Sequence, residues 1–138
     1  MRVMTSIPIR GLALAALVFV AACGSDPVAP PGIQPQITNN TDAFAFQITN
    51  LNSVTGTYDY TWQNTGTLAR VTHSTNAGAT GTATLVLRDA VGTQVYSGAL
   101  ATTGQPVSSP AGVAGAWTVR LVFTGYSNTQ VNFAVAKQ

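Results

Sequence analysis

The chain is poor in charge and in the residue types that most often carry chemistry. Only 7% of its 138 residues are charged, glutamate is absent, and there is one histidine and one cysteine. The formal net charge of +2 comes from Arg2 and Arg10, because the four basic and four acidic residues after position 23 cancel. A neutral body gives no electrostatic reason to expect a nucleic acid partner. We also expect no bound cofactor.

The first 22 residues have the features of an export signal. Arg2 and Arg10 precede an uncharged apolar run of twelve residues, 11–22. This run is shorter than the ~20 residues that a membrane-spanning helix needs. A basic start, a short apolar run and small residues before a cleavage point predict a secretory signal peptide over residues 1–22.

The only cysteine lies directly after this run. The residues Val20-Ala21-Ala22-Cys23 resemble the lipobox of bacterial lipoproteins. The resemblance implies cleavage before Cys23, a diacylglyceryl group on its sulfur and a further acyl chain, such as palmitate, on its amino group. Two or more chains anchor a protein stably to a membrane. Gly24 at the next position implies the outer membrane, since aspartate there favours inner-membrane retention in enterobacterial lipoproteins. The alternative is ordinary cleavage after Ala22, which leaves a free thiol.

Prolines dominate the segment that follows the cysteine. Residues 23–40 contain four of the seven prolines and almost no large apolar side chain. Proline lacks an N–H group and favours extended conformations, so this composition indicates a semi-rigid linker. The predicted linker separates the anchor from a folded domain over residues 41–138.

Side chains alternate between apolar and polar along most of that domain. Such alternation is typical of half-buried antiparallel strands, in which successive side chains point to opposite faces. No helical period competes with it. The predicted inward residues are Phe44, Phe46, Ile48, Tyr58, Tyr60, Trp62, Ala83, Leu85, Leu87, Trp117, Val119, Leu121, Phe123, Val131, Phe133 and Val135.

Glycine-centred turn signals separate the alternating segments. Gly56, Gly66, Gly81 and Gly92 each stand beside threonine at the start of such a segment. Glycine supplies the positive φ of a tight turn, and threonine favours the next strand. About eight strands result, and two stacked antiparallel sheets bury their apolar faces best. The predicted fold is an all-β, jelly-roll-like sandwich.

Two segments resemble the pre-peptidase C-terminal and P-like domains of bacteria. They are LVLRDAVG at residues 85–92 and GAWTVRL at residues 115–121. The resemblance implies a small jelly-roll module. Such modules are usually appended to enzymes and act in surface binding, secretion or assembly. No enzyme accompanies the module in this sequence, so the resemblance supports the fold more than a function.

Catalytic and metal-binding residues are scarce. A serine nucleophile would need His73 as its base, yet the Gly-x-Ser-x-Gly motif is absent and polar neighbours place His73 on a solvated strand face or near a turn. Calcium takes six to eight oxygen ligands, whereas Asp42, Asp59 and Asp89 are isolated in sequence. We therefore predict no catalytic residue and no metal site.

Three charged residues and one turn have structural explanations. Asp89 to Gly92 is predicted to be a hairpin loop, with the aspartate capping the turn and the glycine in the left-handed region. Arg88, Arg120 and Asp59 are predicted to point outward, where neighbouring strands would pair them as surface ion pairs. A small polar recognition patch is the alternative.

Aromatic residues near turns are the candidate ligand contacts. Tyr96 and Tyr126 are predicted to be exposed, and Tyr126 lies in a segment with the composition of a loop, where sandwiches often carry function. The sequence thus predicts a lipid-anchored envelope protein with a non-enzymatic binding or structural role and a protein or glycan partner. One alternative is a glycan-binding accessory module, and a second is a hydrolase that uses His73.

Overall fold

A computed structural model describes residues 33–100 and 104–138, and within these ranges strands are the only regular secondary structure. None of the described residues form a helix with the length and apolarity to cross a membrane. The predicted all-β class is confirmed. The strands are β1 (Gln36–Asn40), β2 (Ala43–Asn64), β3 (Ala69–Thr75), β4 (Thr80–Arg88), β5 (Gln94–Ala99), β6 (Val107–Ser108) and β7 (Gly115–Lys137).

Two long strands, β2 and β7, run antiparallel to each other and take part in both layers of the sandwich. In the first layer, sheet I, residues 43–51 of β2 and 126–137 of β7 lie side by side. The strand order there is β1-β2-β7-β3-β6. In the second layer, sheet II, residues 56–64 of β2 pair with residues 115–123 of β7, and β4 and β5 follow.

Both long strands bend where they pass from one sheet to the other. The pairing of β2 with β7 shifts in register between Leu51 and Gly56. Asn50 and Ser53 have φ angles of 58° and 51° at this bend, and on β7 Gly125 has a φ of 53°. Bulges of this kind increase the local twist of a strand and turn it out of its sheet. The bend lets one strand serve two layers.

Gly81 is required where β4 follows the same bend. Its φ is 72°, and a Cβ atom added there would lie 2.3 Å from the carbonyl oxygen of Gly125. Real Cβ atoms do not approach oxygen so closely, so the backbones of β4 and β7 meet at a distance that only glycine allows. The turn signal at this position therefore also marks a close approach between strands.

The two halves of β2 fold onto each other across the core. The Phe44 ring in sheet I lies 5.7 Å from the Tyr60 ring in sheet II. At the far end, the amide of Asp42 donates a hydrogen bond to the carbonyl oxygen of Gln63 at 2.8 Å. These contacts fix the two sheets face to face, with the aromatic residues between them.

The predicted inward residues form this core. Fifteen of the sixteen are buried, and Tyr58 is half-buried against them. Trp62 and Trp117 are fully buried at the end of sheet II, with their rings in an edge-to-face arrangement at 5.8 Å. Burying such side chains stabilises a domain by about 1.5–3 kcal/mol each, so the core accounts for the fold.

Three predictions about boundaries are wrong. Gly56 lies inside β2 rather than in a turn, and the segment around Tyr126 lies inside β7 rather than in a loop. About eight strands were expected, whereas the described residues form seven, because two pairs of expected strands are continuous and β1 is an additional strand. The folded part also starts earlier than residue 41, since Gln36–Asn40, expected in the linker, forms strand β1 beside β2.

Candidate functional site

The outer face of sheet I has a floor of alanines. Side chains alternate between the two faces of a strand, and on the two central strands the outward positions hold Ala43 and Ala45 of β2 and Ala134 and Ala136 of β7. The antiparallel register sets Ala45 opposite Ala134 and Ala43 opposite Ala136. Four methyl groups therefore lie together in the middle of the sheet.

Polar side chains rise on both sides of this floor. Thr38 of β1 lies opposite Ala45, and Thr72 of β3 lies opposite Ala134. One step along the strands, the register sets four polar residues in a row across the sheet. This row consists of Gln36, Gln47, Asn132 and Ser74. Small residues in the centre and longer ones at the sides and end produce a hollow, which we call the alanine groove.

The alanine groove has a volume of ≈ 390 Å³. Amides and hydroxyls line it above the two central alanines, and the row of four lies at one end. No side-chain hydrogen bond commits any of these polar groups to another of the described residues, and the Oδ1 atom of Asn132 is buried without a partner. The polar residues of the groove are Gln36, Thr38, Gln47, Thr72, Ser74 and Asn132.

A second hollow, of ≈ 500 Å³, lies at the bend of the sandwich. Several of its polar groups are already bonded within the protein. The amide of Asn128 donates to the carbonyl oxygen of Asn76 and to the hydroxyl of Tyr126, each at 3.1 Å. The hydroxyl of Ser127 accepts the amide of Ser53 at 2.7 Å. Because these groups hold the bend together, the alanine groove is the better candidate for a ligand.

One cation borders the alanine groove. Arg70 is exposed on the outer side of β3, between Ala136 of β7 and Ser108 of β6 in the register. It lies two residues, or about 6.8 Å along the strand, from Thr72 in the wall of the groove. No hydrogen bond or ion pair joins its side chain to another residue in the described ranges. The residues that line the groove include His73 but no aspartate, arginine or lysine.

The predicted ligand contacts lie elsewhere. Tyr126 is only 2% exposed, and its hydroxyl accepts the hydrogen bond from Asn128. The expectation that it is an exposed loop residue is wrong, because the bend at Gly125 shifts the alternation and turns its ring into the core against Phe123. Tyr96 is half-buried on β5, and burial raises the pKa of its hydroxyl. Neither residue borders the alanine groove.

The predicted surface ion pair is present on the opposite face of the sandwich. The guanidinium of Arg120 donates two hydrogen bonds to the carboxylate of Asp59, at 2.7 and 2.6 Å. These bonds lower the pKa of Asp59 and raise that of Arg120. Arg88 instead donates to the carbonyl oxygen of Gly92 at 3.1 Å.

The predicted role of Asp89 as a turn cap is confirmed. One carboxylate oxygen accepts the amides of Val91 and Thr93, at 3.1 and 2.8 Å, and Gly92 has a φ of 87°. The other oxygen accepts the amide of Val113 at 3.0 Å, which links the turn to the segment before β7. Burial acts to raise the pKa of Asp89, but these amide hydrogen bonds outweigh it and lower the pKa.

His73 lies on β3, opposite Phe133 of β7. It is half-buried, and a Cβ atom at Gly104 would lie 2.2 Å from its Nε2 atom, so the backbone there covers the imidazole ring. The expected solvated position is therefore only partly correct. No group of three histidine, cysteine, aspartate or glutamate residues that could hold a metal occurs in the described ranges. Cys23, the predicted lipidation site, lies outside them.

Comparison with known proteins gives distant structural similarities. No protein-family model matches the sequence, and no curated protein does. One similar solved structure is an arabinose-bound α-L-arabinofuranosidase, with 13% identity and a TM-score of 0.41 over 80% of this chain and 22% of that one. Another contains carbohydrate-binding modules of the β-sandwich superfamily, with 10% identity and a TM-score of 0.38 over 75% and 52%.

A third similar structure is that of infectious bursal disease virus, Gt strain, with 20% identity and a TM-score of 0.31 over 95% of this chain and 36% of the viral chain. The chain thus spans between about a fifth and about half of the lengths of these three proteins. With TM-scores below 0.5, the function has to be argued from the alanine groove itself.

Proposed function

We propose that this chain is a non-enzymatic binding module whose alanine groove takes a saccharide. The observation that carries the proposal is the set of six neutral polar side chains around the groove that form no hydrogen bond within the described residues. Amide and hydroxyl groups both donate and accept, which is what a ligand covered with hydroxyl groups requires.

The floor of the groove fits the same class of ligand. Small-molecule sites combine an apolar surface with a few polar groups that fix the orientation of the ligand. The methyl groups of Ala45 and Ala134 leave room for a sugar ring to lie along the sheet, with its hydroxyls directed to the side walls. Sugar hydroxyls carry no charge, and neither do the six polar residues around that floor.

A binding role is favoured over hydrolysis by the positions of the carboxylates. Glycoside hydrolysis uses a pair of carboxylates on either side of the bond that breaks. Each of the three aspartates in the described residues is bonded elsewhere: Asp59 to Arg120, Asp89 to backbone amides, and Asp42 to Thr65 and Lys137. We therefore propose that the ligand is bound and released unchanged.

The test of the groove uses a pair of phenylalanine substitutions on the same strand. Ala134→Phe fills the alanine groove, whereas Ala116→Phe places the same ring on the outer face of sheet II. On an array of neutral and acidic oligosaccharides, we expect the wild-type protein and Ala116→Phe to bind and Ala134→Phe to lose at least tenfold in affinity. Equal binding by the two variants, or no binding by the wild type, would contradict the proposal.

We further propose that Cys23 tethers the module to the outer membrane of a bacterial envelope. The support is the lipobox-like sequence before it and the proline-rich segment after it. Cys23→Ser, or treatment of the cells with globomycin, is expected to move the protein from the membrane fraction to the soluble fraction. Mass spectrometry of the native protein should find acyl chains on a first residue that is this cysteine. An unchanged fractionation would contradict the tether.

A further inference from the structure

We infer that the saccharide of the alanine groove is acidic, and that Arg70 binds its carboxylate. This inference rests on the proposed function and assigns a substrate class to the same site. It starts from the position of Arg70, one row beyond the groove on the outer side of β3. The alanine floor continues into that row, because Ala43 and Ala136 are neighbours in the register and Arg70 lies beside Ala136.

The surroundings leave this guanidinium free to meet an external anion. Of the other three basic residues in the described ranges, Arg120 bonds to Asp59, Lys137 bonds to Asp42 at 3.2 Å, and Arg88 bonds to a backbone carbonyl. Arg70 has no such partner there, and the three aspartates are committed elsewhere. A cation at the rim of a groove therefore faces the ligand rather than a neighbouring side chain.

The chemistry of the side chain selects the kind of anion. A guanidinium is planar and donates two parallel hydrogen bonds, which match the two oxygens of a carboxylate. Its stem is long enough to reach across the ~6.8 Å between its own row and that of Thr72. A ring that lies on Ala45 and Ala134 would direct a carboxylate along the floor toward Arg70, while its hydroxyls meet the neutral walls. Uronic acids combine these two features in one residue.

The experiment compares a charged saccharide with its neutral counterpart. Calorimetric titrations use an oligouronate, the same oligomer after reduction of its carboxylates to alcohols, and a sulfated oligosaccharide of equal length. We expect the wild-type protein to bind the oligouronate about tenfold more tightly than the reduced oligomer. High salt should weaken this preference, because Arg70 is exposed.

Two glutamine variants test whether Arg70 causes the preference for the oligouronate. We expect Arg70→Gln to bind the oligouronate and the reduced oligomer equally, each with the affinity that the wild-type protein has for the reduced oligomer. Arg88→Gln, on the outer face of sheet II, should keep the tenfold preference for the oligouronate. Thermal unfolding of both variants checks that they are folded, which their surface positions favour. A preference that survives Arg70→Gln, or that is lost in Arg88→Gln, would overturn the assignment.

The outcomes separate this inference from the proposed function. Equal binding of the charged and reduced oligomers would overturn the role of Arg70 and leave a neutral saccharide groove intact. Tighter binding of the sulfated oligosaccharide than of the oligouronate would overturn the claim that Arg70 binds a carboxylate and would indicate a sulfate instead. Absence of binding to all three oligomers, together with a negative array, would overturn both proposals.

Discussion

The two outer faces of the sandwich share their central strands but differ in surface shape. On sheet I, β2 and β7 present alanines, and the face is hollow. On sheet II, the same two strands present Val122 together with the bonded pair of Asp59 and Arg120, and β4 adds Val86 beside Arg120. The backbone pairing is antiparallel in both places. The hollow therefore results from side-chain volume, and a few substitutions would suffice to make or remove it.

The two faces also differ in how their polar groups are used. On sheet II the charged groups are satisfied within the protein, by the ion pair and by the bond from Arg88 to Gly92. On sheet I the six polar side chains of the alanine groove and that of Arg70 form no hydrogen bond with the described residues. The contrast is therefore between charged groups that are bonded within the protein on sheet II and the unbonded Arg70 on sheet I. Four changes test this contrast, from the largest effect on stability to the smallest.

Loss of the tryptophan pair should destabilise both faces together, because it lies in their common core. Trp117→Ala is expected to lower the free energy of unfolding by about 3–5 kcal/mol in urea titrations.

Phenylalanine variants test the hydrogen bond of one tryptophan separately from the packing of the pair. The Nε1 atom of Trp117 donates to the carbonyl oxygen of Val113 at 2.7 Å, whereas that of Trp62 has no partner among residues 33–100 and 104–138. Trp117→Phe should therefore cost about 1 kcal/mol more than Trp62→Phe, and equal costs would contradict this.

Replacement of the buried cap should destabilise the end of sheet II and change the response to acid. Asp89→Asn removes the carboxylate that accepts three amides, so its midpoint of thermal unfolding at pH 7 should fall. Because folding lowers the pKa of Asp89 below 3.8, its stabilisation is complete above that pH and is lost as the pH falls through the folded value. The gap between wild type and variant should narrow below pH 3.8. A constant gap would show that the charge is not involved.

Removal of the surface ion pair should have a smaller effect. The side chains of Arg120 and Asp59 are 37% and 45% exposed, so solvent screens their attraction. Asp59→Asn is expected to cost at most about 1 kcal/mol at low salt and less at high salt, measured by urea unfolding at both ionic strengths. The hydrogen bond from Arg120 lowers the pKa of Asp59, so this contribution also disappears as the pH falls below 3.8. A cost that is independent of salt would contradict an electrostatic origin.

Exchange of small and branched residues between the faces should affect stability least. Ala45→Val on sheet I and Val122→Ala on sheet II are expected to change the free energy of unfolding by no more than about 0.5 kcal/mol, in opposite directions. Valine suits a pleated surface better than alanine does, so the first change should stabilise slightly. Only Ala45→Val should weaken saccharide binding, because it narrows the groove. Weaker binding by Val122→Ala would show that the groove is not the site.

The inner face of each sheet was predictable from sequence, because regular strands alternate without interruption. Phe44 to Ile48 and Trp117 to Phe123 point into the core as their alternation predicts. The bends were not predictable, since glycine marks a turn and a bend within a strand alike. Tyr126 shows the consequence: a bulge resets the alternation, and the side chains directly beyond it change face, until the alternation returns to its first parity at Val131.

The alanine groove could be recognised only after the strands were paired. The segments AFAF at residues 43–46 and FAVA at residues 133–136 both alternate alanine with large core residues. Each reads as a strand with a small outward residue, which gives no signal of a site. Their antiparallel register brings the four alanines together, and register is a long-range property that local patterns do not contain. Paired alanine alternation in distant segments is the signal to search for in similar sequences.

The passage of β2 and β7 through both sheets has a mechanical consequence. No flexible connection separates the layers along these two strands, so neither layer can open there without disturbing the pairing of the other. Local fluctuations are therefore expected at β1, β5 and β6, which lie at the margins, while hydrogen exchange at the amides of β2 and β7 beneath the groove should require global unfolding. The floor of the proposed site is thus as rigid as the interior that supports it, and a ligand would meet a floor already in place.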